Sequence, residues 1–433
     1  MFLKGIWGAV FALALLASGC HSGPSAPSAV SLTEGAGLTP TDDINGLDAA
    51  VGADGAVHVV WQELLGEYAD SRDSRLIYRS ASGTPLRWRP PVALAAGRAD
   101  TAHPQVVATP QGAHVFAGEH LHHWWLPIGG APIRDLGNLL ADDGPGTGRF
   151  DAAASKDGVL IIFSALGKAE DAALQAIRWT PAGPQAPVLI ATFQDSRDTT
   201  PQLLRYSDRW IAFWANNALV DFRDPRDGMM SFGLKANVHM AVSLDEGASW
   251  GAVSSIASPQ LAILGIAADS VAGAPVAFYA SDGLYESSQR AGAWTPPLRI
   301  AGYDKGFFAG STETTAVATT QCNGHTALAW VDARYRRSDR RPWNPLGGFP
   351  WGDDPDWDNN DLFVAINAPQ SASAATALEP LRLTVDPSMT RNIALVAREG
   401  RLLVFRSGRA RVRKAPYDED APPEVTQASV SCT

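Results

Sequence analysis

The chain has 433 residues, of which 45% are hydrophobic, and a formal net charge of −10 at pH 7. An acidic chain whose charge is spread along the sequence lacks the basic face that phosphate binding requires, so we expect no nucleic-acid partner. Length alone would suggest two or more domains, but an internal repeat reduces that number to one.

The first 19 residues have the pattern of a secretory signal. Lys4 supplies a positive charge, residues 6–16 form an almost purely apolar stretch, and small residues at 17–19 lead to Cys20. The apolar stretch is too short for a transmembrane helix. We therefore expect residues 1–19 to be removed and the mature chain to leave the cytoplasm.

Cys20 ends a short motif, Leu-Ala-Ser-Gly-Cys, at residues 16–20. It resembles the lipobox of bacterial lipoproteins, although Ala17 stands where leucine is more usual. The resemblance implies a lipid on Cys20 and a membrane-anchored, extracytoplasmic location, in the periplasm or at the outer membrane of a Gram-negative cell. Ser, Pro and Gly then predict a flexible tether over residues 20–44. The alternative is an ordinary secretory signal that contains a cysteine.

A turn residue, usually glycine, followed by an apolar run that ends in an aromatic residue, recurs along the rest of the chain. The copies lie at 55–61, 112–116, 158–163, 208–214, 273–279, 324–330 and 400–405. A short apolar strand precedes each copy and further strands follow, which predicts four-stranded antiparallel units. Such units arranged in a ring form an all-β fold, a single β-propeller, here over residues 45–433. Seven blades are favoured, six remain open, and a pair of β-sandwiches is the alternative fold.

Residues 243–250, Ser-Leu-Asp-Glu-Gly-Ala-Ser-Trp, match the pattern S-x-D-x-G-x-x-W. This is similar to the Asp-box, or BNR repeat, of sialidases and related propellers. The residues that match are Ser243, Asp245, Gly247 and Trp250. The motif orders a turn between the outer strands of a blade, so it indicates a sialidase-like architecture and not a catalytic site.

Three connections between second and third strands are unusually long, at residues 62–75, 215–236 and 332–360. We expect them to emerge on one face of the propeller, together with the loops between blades. The candidate ligand-binding residues there are Glu67, Tyr68, Asp70, Arg72, Arg98, Asp195, Arg197, Asp221, Arg223, Asp332, Arg334 and Tyr335. Arginine forks bind carboxylates and carboxylate pairs transfer protons, which suits a carbohydrate ligand.

The candidate catalytic residues follow from the resemblance to sialidases. The resemblance to sialidases implies three arginines on the substrate carboxylate, a tyrosine paired with a glutamate as nucleophile, and an aspartate as acid and base. The family's early Arg-Ile-Pro motif is absent, and no Tyr/Glu pair matches by pattern. The candidates are Asp70, Arg72, Arg223, Tyr303 and Arg334.

We therefore predict an envelope-anchored propeller that recognises a carbohydrate and, if it is an enzyme, hydrolyses it as an exo-sialidase-like glycoside hydrolase. The alternative is a non-catalytic propeller that binds a protein in an envelope assembly. A quinone-dependent dehydrogenase is a third class, without a cofactor motif to support it.

Two acidic or histidine-rich stretches raise the question of metal binding. Asp354, Asp356 and Asp358 place oxygen ligands at alternating positions, as calcium loops do, but the central glycine and distal glutamate of an EF-hand are missing. A solvated acidic turn is the alternative. His120 and His122 share one face if their stretch is a strand, whereas exposed histidines of an edge strand, including His123, are the simpler interpretation.

Only Cys322 and Cys432 remain once Cys20 is assigned to the lipid. An even number of cysteines in an oxidising compartment permits a disulfide that would tie the C-terminus to the fold.

Overall fold

The computed structural model describes residues 30–33, 43–65, 74–95, 102–142, 146–166, 172–193, 196–223, 230–257, 263, 265–281, 283–301, 316–332, 361–366, 380–384, 388–413, 418–420 and 423–432. These residues form 32 strands and one turn of 3-10 helix, Ile128–Gly130. None of the helical structure in this part of the chain is long and apolar enough to cross a membrane.

The strands form seven antiparallel sheets, the blades. Blade 1 contains β2 (Asp43–Val51), β3 (Val57–Leu64), β4 (Ser74–Ser82), β5 (Arg87–Trp88) and β6 (Val92–Ala95). Blade 2 contains β7 (Gln105–Thr109), β8 (Gly112–Ala117), β9 (His122–Pro127) and β10 (Arg134–Asn138). Blade 3 contains β11 (Thr147–Ser155), β12 (Gly158–Leu166), β13 (Ala172–Thr180), β14 (Gly183–Pro184) and β15 (Val188–Phe193).

The remaining blades have the same order. Blade 4 contains β16 (Ser196–Tyr206), β17 (Arg209–Arg223), β18 (Met230–Ser243) and β19 (Ser254–Ala257). Blade 5 contains β20 (Gly265–Val271), β21 (Ala274–Ala280), β22 (Leu284–Arg290), β23 (Ala293–Trp294) and β24 (Leu298–Ala301). Blade 6 contains β25 (Ala316–Cys322), β26 (His325–Asp332), β27 (Asp361–Ile366) and β28 (Leu381–Arg382). Blade 7 contains β29 (Ser388–Arg398), β30 (Arg401–Arg413), β31 (Asp418–Asp420), β32 (Glu424–Ser431) and β1 (Val30–Ser31).

The first strands of the blades form the inner wall of a ring. Each contacts the first strand of the next blade, and β2 contacts both β7 and β29, so the ring closes. The fold is therefore a seven-bladed β-propeller, as predicted, and neither the six-bladed nor the β-sandwich alternative holds.

The repeat found in the sequence corresponds to the second strand of every blade. The seven aromatic residues that end the copies are all fully buried: Trp61, Phe116, Phe163, Trp214, Tyr279, Trp330 and Phe405. Neighbouring blades cover both faces of each second strand, which explains why its apolar run is almost continuous. Burial of one such side chain contributes roughly 1.5–3 kcal/mol, so these positions anchor the fold.

The core lies between the blades and not inside one layer. Seven apolar clusters of described residues each join two neighbouring blades. The cluster between blades 7 and 1, for example, contains Trp61 from β3 and Phe405 from β30. Since every blade contributes to two clusters, stability depends on the complete ring.

The N-terminal strand completes the last blade. In β1, Val30 pairs with Gln427 of β32, and the Leu32 N–H donates to the Val425 carbonyl at 2.7 Å. This strand lies inside the segment whose Ser/Pro/Gly composition predicted a tether. The short apolar sequence Val30–Leu32 was not distinguished from its surroundings, because its partner edge on β32 is distant in sequence. All described strands lie within residues 30–432.

A disulfide joins Cys322, at the end of β25, to Cys432, directly after β32, with a Cα–Cα distance of 5.8 Å. The Cys432 N–H also donates to the carbonyl of Gly400 at 3.1 Å. The bridge therefore links blade 6 covalently to the C-terminal end of blade 7.

The shared strand order defines two faces of the ring. On one, the upper face, the first strands begin and the second and third strands are connected; on the other, the lower face, lie the tight turns between first and second strands. All three long connections of the sequence analysis therefore belong to the upper face.

Candidate functional site

A central channel of about 410 Å³ runs along the first strands. Residues from β2, β7, β11, β16, β20, β25 and β29 line it, so all seven blades contribute. A concave space on a rigid scaffold is the usual position of a ligand site in a propeller.

The channel wall of blades 1 to 4 is polar, and its polar residues alternate. Asp48 in β2 and Asp151 in β11 occur in the sequences Leu-Asp-Ala-Ala and Phe-Asp-Ala-Ala. Gln105 in β7 and Gln202 in β16 occur in Pro-Gln-Val-Val and Pro-Gln-Leu-Leu. All four residues line the channel.

The two aspartates connect their blades to the next ones. Asp48 Oδ2 accepts a hydrogen bond from the Val106 N–H at 2.8 Å. Asp151 Oδ2 accepts from the Leu203 N–H and, at 2.6 Å, from Gln202 Nε2. These bonds fix the first strands of adjacent blades relative to one another.

Gln105 makes the corresponding connection between blades 2 and 3. Its Oε1 accepts from the Ala152 N–H at 2.8 Å, and its Nε2 donates to the Phe150 carbonyl at 2.9 Å. The three contacts follow one pattern. The polar side chain of one blade accepts a hydrogen bond from a backbone N–H of the next blade, and that N–H belongs to the residue directly after the next blade's polar channel residue. Blades 1 to 4 are thus joined by one repeated side-chain-to-backbone contact.

Both aspartates are half-buried in the channel wall and have raised pKa values. Burial is the main cause that raises the pKa of Asp48 from 3.8 to about 7; hydrogen bonds from the backbone of residues 106 and 49 oppose the shift, and the charge of Asp151 adds to it. Burial likewise raises the pKa of Asp151 to about 7, against hydrogen bonds from Leu203, Ala152 and Gln105. Carboxyl groups that exchange a proton near neutral pH can act as general acids or bases.

Two further groups belong to the polar part of the channel. Arg149 in β11 lines it. Thr200 in β16 also lines it, and its buried Oγ1 has no hydrogen-bond partner among the described residues. A ligand hydroxyl would satisfy that oxygen.

The wall of blades 5 to 7 is mostly apolar. Its lining includes Ile266, Ala267, Val317, Ala318 and Ile393. The channel therefore offers hydrogen-bonding groups on one side and aliphatic groups on the other.

The side chains of the predicted ligand-binding residues lie outside the part of the chain whose side chains the structure describes. Arg197 lies in β16, Asp221 and Arg223 lie in β17, and Asp332 ends β26, but only their strand positions are described. The other predicted residues lie outside the described residues: Glu67, Tyr68, Asp70, Arg72, Arg98, Asp195, Tyr303, Arg334, Tyr335, Asp354, Asp356 and Asp358. Cys20 lies outside them as well.

Two of the three predicted loops contain more strand than expected. β17 continues to Arg223 and pairs with β18 from Met230 onwards, so most of residues 215–236 forms a hairpin. The apolar residues spaced along residues 218–222 support this extension. In residues 62–75, Glu63 of β3 and Arg75 of β4 lie opposite each other and form a buried ion pair. Glu63 is therefore a structural residue at the base of the connection.

The turn after β18 lies on the lower face, away from the channel mouth. Ser243 Oγ donates to Asp245 Oδ1 and accepts from the Gly247 N–H, both at 2.8 Å. Asp245 also accepts from the Ser249 N–H at 2.8 Å. Gly247 has φ +83°, and Trp250 packs against the cluster between blades 3 and 4. The turn thus has a structural role.

The histidine-rich stretch differs from the expected exposed edge. His122 begins β9 and contacts Asn138 and Asp135, each at 2.7 Å. His123 is fully buried and lies 2.9 Å from His114, ring nitrogen to ring nitrogen. Burial lowers the pKa of His114 to about 4 and that of His123 to about 3. No group of three potential metal ligands occurs among the described residues.

Comparison with known proteins gives matches in fold alone. No protein-family model and no curated protein sequence matches the chain. A sialidase of Trypanosoma rangeli in complex with sialic acid gives a TM-score of 0.43 at 7% identity, covering 94% of this chain and 59% of its own. The Hadza microbial sialidase Hz136 gives 0.42 at 8% identity, covering 90% and 66%. An alpha-L-arabinanase of Penicillium chrysogenum complexed with arabinobiose gives 0.42 at 10% identity, covering 94% and 99%.

These structural neighbours are glycoside hydrolase propellers, at low sequence identity. The chain spans less than two thirds of the length of the two sialidases.

Proposed function

We propose that the protein is an envelope-anchored propeller that recognises a carbohydrate at the upper mouth of its channel. The observation that carries the proposal is the two-sided chemistry of the channel. Asp48, Asp151, Arg149 and Thr200 place polar groups on one wall, and the opposite wall is mostly aliphatic. A sugar ring has the matching character, with hydroxyl groups at its edge and C–H groups on its faces.

The sequence motifs supply the rest of the proposal. The hydrogen bonds of Ser243, Asp245 and Gly247 are those expected of an Asp-box turn, which supports a sialidase-like propeller. The pattern before Cys20 supports a lipid anchor and therefore a location in the cell envelope. The predicted loop arginines at 72, 223 and 334 would extend the site above the channel.

The second part of the proposal is that the protein hydrolyses the carbohydrate that it binds. Asp48 and Asp151 are placed at the channel and have a raised pKa of about 7, so either can hold the proton that a general acid transfers to a leaving oxygen. The arginines would bind an acidic sugar by its carboxylate.

The test uses the chain from residue 21, because all described strands lie within residues 30–432. We expect binding on a glycan array, and turnover in a screen of fluorogenic glycosides, with and without calcium. Asp48→Asn and Asp151→Asn keep an acceptor for the neighbouring N–H but cannot donate a carboxyl proton, so turnover should fall at least about a hundredfold.

Charge-removing changes at Arg72, Arg223 and Arg334 should weaken binding, whereas the matched change Arg178→Gln on β13 should not. Absence of binding to any glycan would overturn the carbohydrate proposal. Binding without turnover would leave recognition intact and exclude hydrolysis. A calcium requirement would support a calcium role for Asp354, Asp356 and Asp358.

A further inference from the structure

The second strands of the blades reach different heights above the channel. In every blade the buried aromatic residue of the repeat lies opposite a first-strand residue that lines the channel, so these residues mark one common level. β17 continues above this level from Trp214 to Arg223, and β30 continues from Phe405 to Arg413. In the other five blades the second strand ends within three residues of the aromatic one. At about 3.3 Å per residue, β17 and β30 rise about 25–30 Å, against about 10 Å or less elsewhere.

The first strands show the same difference. They begin on the upper face, and β16 begins at Ser196 and β29 at Ser388, before the channel residues Thr200 and Asn392. Three others begin at residues that themselves line the channel: Gln105 in β7, Gly265 in β20 and Ala316 in β25. Blades 4 and 7 therefore raise both the wall of the channel and the rim outside it.

The two raised blades lie nearly opposite each other in the ring, with blades 1 to 3 between them on one side and blades 5 and 6 on the other. The raised parts are antiparallel pairs: Arg223 pairs with Met230 in blade 4, and Arg413 pairs with Asp418 in blade 7. Asp221 and Arg223, both predicted to bind a ligand, lie in the raised part of β17. The mouth of the channel thus has two tall sides, one opposite the other.

Low sides lie between the tall ones, at blades 2 and 5. Residues 118–121 join β8 to β9 in a tight turn, in which the Leu121 N–H donates to the Gly118 carbonyl at 3.1 Å. Residues 281–283 join β21 to β22, and the Ser281 N–H donates to the Gly283 carbonyl at 2.8 Å. Blades 2 and 5 are also nearly opposite each other in the ring. As far as the described strands and turns define it, the mouth is open at these two sides.

Hydrogen-bonding groups lie on the line from blade 2 to the centre of the mouth. Glu119 is exposed in the low turn of blade 2, and His103, which precedes β7 of the same blade, lines the channel. Arg149 and Thr200 follow on the channel wall. A chain of sugar rings that enters over blade 2 would therefore meet polar groups before and within the channel mouth.

We propose that the ligand is an internal segment of a polysaccharide, which crosses the mouth from blade 2 to blade 5 between the two tall sides. The inference rests on the carbohydrate site proposed above and specifies the class of its ligand. A mouth walled on every side accepts only the end of a chain, whereas a mouth with two open sides lets the chain continue in both directions. The resemblance to sialidases implies an exo-acting hydrolase. The shape of the rim instead favours an endo-acting one, if Asp48 or Asp151 transfers a proton.

The test compares ligands of increasing length on the chain from residue 21. The probes are monomers to octamers of cellulose, chitin, arabinan, galacturonan and α-2,8-linked sialic acid. Octamers of the recognised glycan should bind at least about tenfold more tightly than dimers, because the added units contact the rim. Chemical capping of both chain ends should leave the binding of the octamers unchanged.

Two variants test the path of the chain. In the first, Asn-Gly replaces residues 218–235 and joins Asn217 to its partner Ala236, which removes the tall side of blade 4. The advantage of octamers over dimers should then fall below about threefold, while dimers bind as before. The second, Glu119→Trp, keeps every strand and fills the low side of blade 2, so octamers should bind at least about fivefold more weakly. Its matched control is Asp157→Trp, at an exposed position on the lower face, which should bind octamers like the wild type.

The outcomes separate this inference from the proposed function. Equal binding of monomers and octamers, or loss of binding when the ends are capped, would overturn the internal segment and leave carbohydrate recognition intact. Equal binding of octamers by Glu119→Trp and Asp157→Trp would overturn the path over blade 2. Absence of binding to every probe would overturn the carbohydrate site and this inference with it.

Discussion

The two halves of the channel wall are built in different ways. In blades 1 to 4, side chains of the first strands bond to the backbone of the next blade, from Asp48 through Gln105 to Asp151. In blades 5 to 7, aliphatic residues such as Ile266 and Ile393 line the channel, and the Cys322–Cys432 bridge links blades 6 and 7. A ring of similar blades can therefore be closed by polar contacts on one side and by packing with a covalent link on the other.

The largest effect is expected from breaking the covalent link of the apolar half. Cys322→Ala with Cys432→Ala opens a loop of 110 residues, so the free energy of unfolding should fall by about 3–5 kcal/mol. Urea denaturation measures this, with wild type under reducing conditions as the control. An unchanged midpoint would show that packing alone holds blades 6 and 7 together.

The polar half should respond most to removal of one acceptor. Asp151→Ala leaves the Leu203 N–H and the Gln202 amide without their acceptor, which should cost about 2–3 kcal/mol in the same assay. Asp151→Asn, which keeps an acceptor oxygen, is the control and should cost less than about 1 kcal/mol. Equal losses in the two variants would show that the acceptor at position 151 does not stabilise the contact between blades 3 and 4.

The acidity of the polar half gives a pH test. Because the pKa values of Asp48 and Asp151 rise from 3.8 to about 7 on folding, their stabilising contribution is complete below pH 3.8 and is lost as the pH rises through about 7. The free energy of unfolding of the double variant Asp48→Asn, Asp151→Asn should therefore rise relative to that of the wild type over this range. The rise should be at least about 1.4 kcal/mol, because a shift of one pKa unit corresponds to about that amount. Denaturation at pH 4, 6 and 8 measures the gain, and a constant difference would contradict it.

His114 and His123 of blade 2 have the opposite effect on the pH dependence of stability. The lowered pKa values of His114 and His123 mean that their contribution is complete above pH 6.5 and is lost as the pH falls toward 4 and 3. The double Asn variant should consequently lose stability on acidification. The wild type should lose less, because protonation of Asp48 and Asp151 stabilises it over the same pH range.

The smallest effect is expected at a polar contact inside the apolar half. Thr319 Oγ1 lies 3.1 Å from Asp269 Oδ2 and connects blades 5 and 6. The same hydroxyl lies 3.0 Å from the Ala327 carbonyl, so its one proton is shared between the two acceptors, and Thr319→Val should lower the free energy of unfolding by about 1 kcal/mol. Thermal unfolding detects a change of this size, with Thr192→Val at an exposed position of β15 as a reference. A loss as large as that of Asp151→Ala would mean that the two halves do not differ.

Sequence pattern predicted the architecture because the second strands are buried on both faces. The runs that end in Trp61 or Phe405 have the same composition for the same reason, so the repeat could be found without the structure. The pairing of β1 with β32 could not, since a strand of two residues has no periodicity of its own.

The channel residues were overlooked although they left a signal. Leu-Asp-Ala-Ala and Phe-Asp-Ala-Ala in blades 1 and 3, and Pro-Gln followed by two aliphatic residues in blades 2 and 4, alternate around the ring. Long loops and polar clusters are the usual sequence signs of a site, whereas Asp48 and Asp151 stand singly within apolar strands. Their proximity depends on the closure of the ring, which local sequence does not contain.

The pairing of Val30 with Gln427 has a consequence for how the chain folds during synthesis. Translation produces the N-terminal strand first and its partner last, so blade 7 stays open until nearly the whole chain has been made. A contact of such long sequence separation forms late and slowly. During that interval the edges of β30 and β32 are exposed to proteases and to other chains, and a truncated product would keep them exposed permanently.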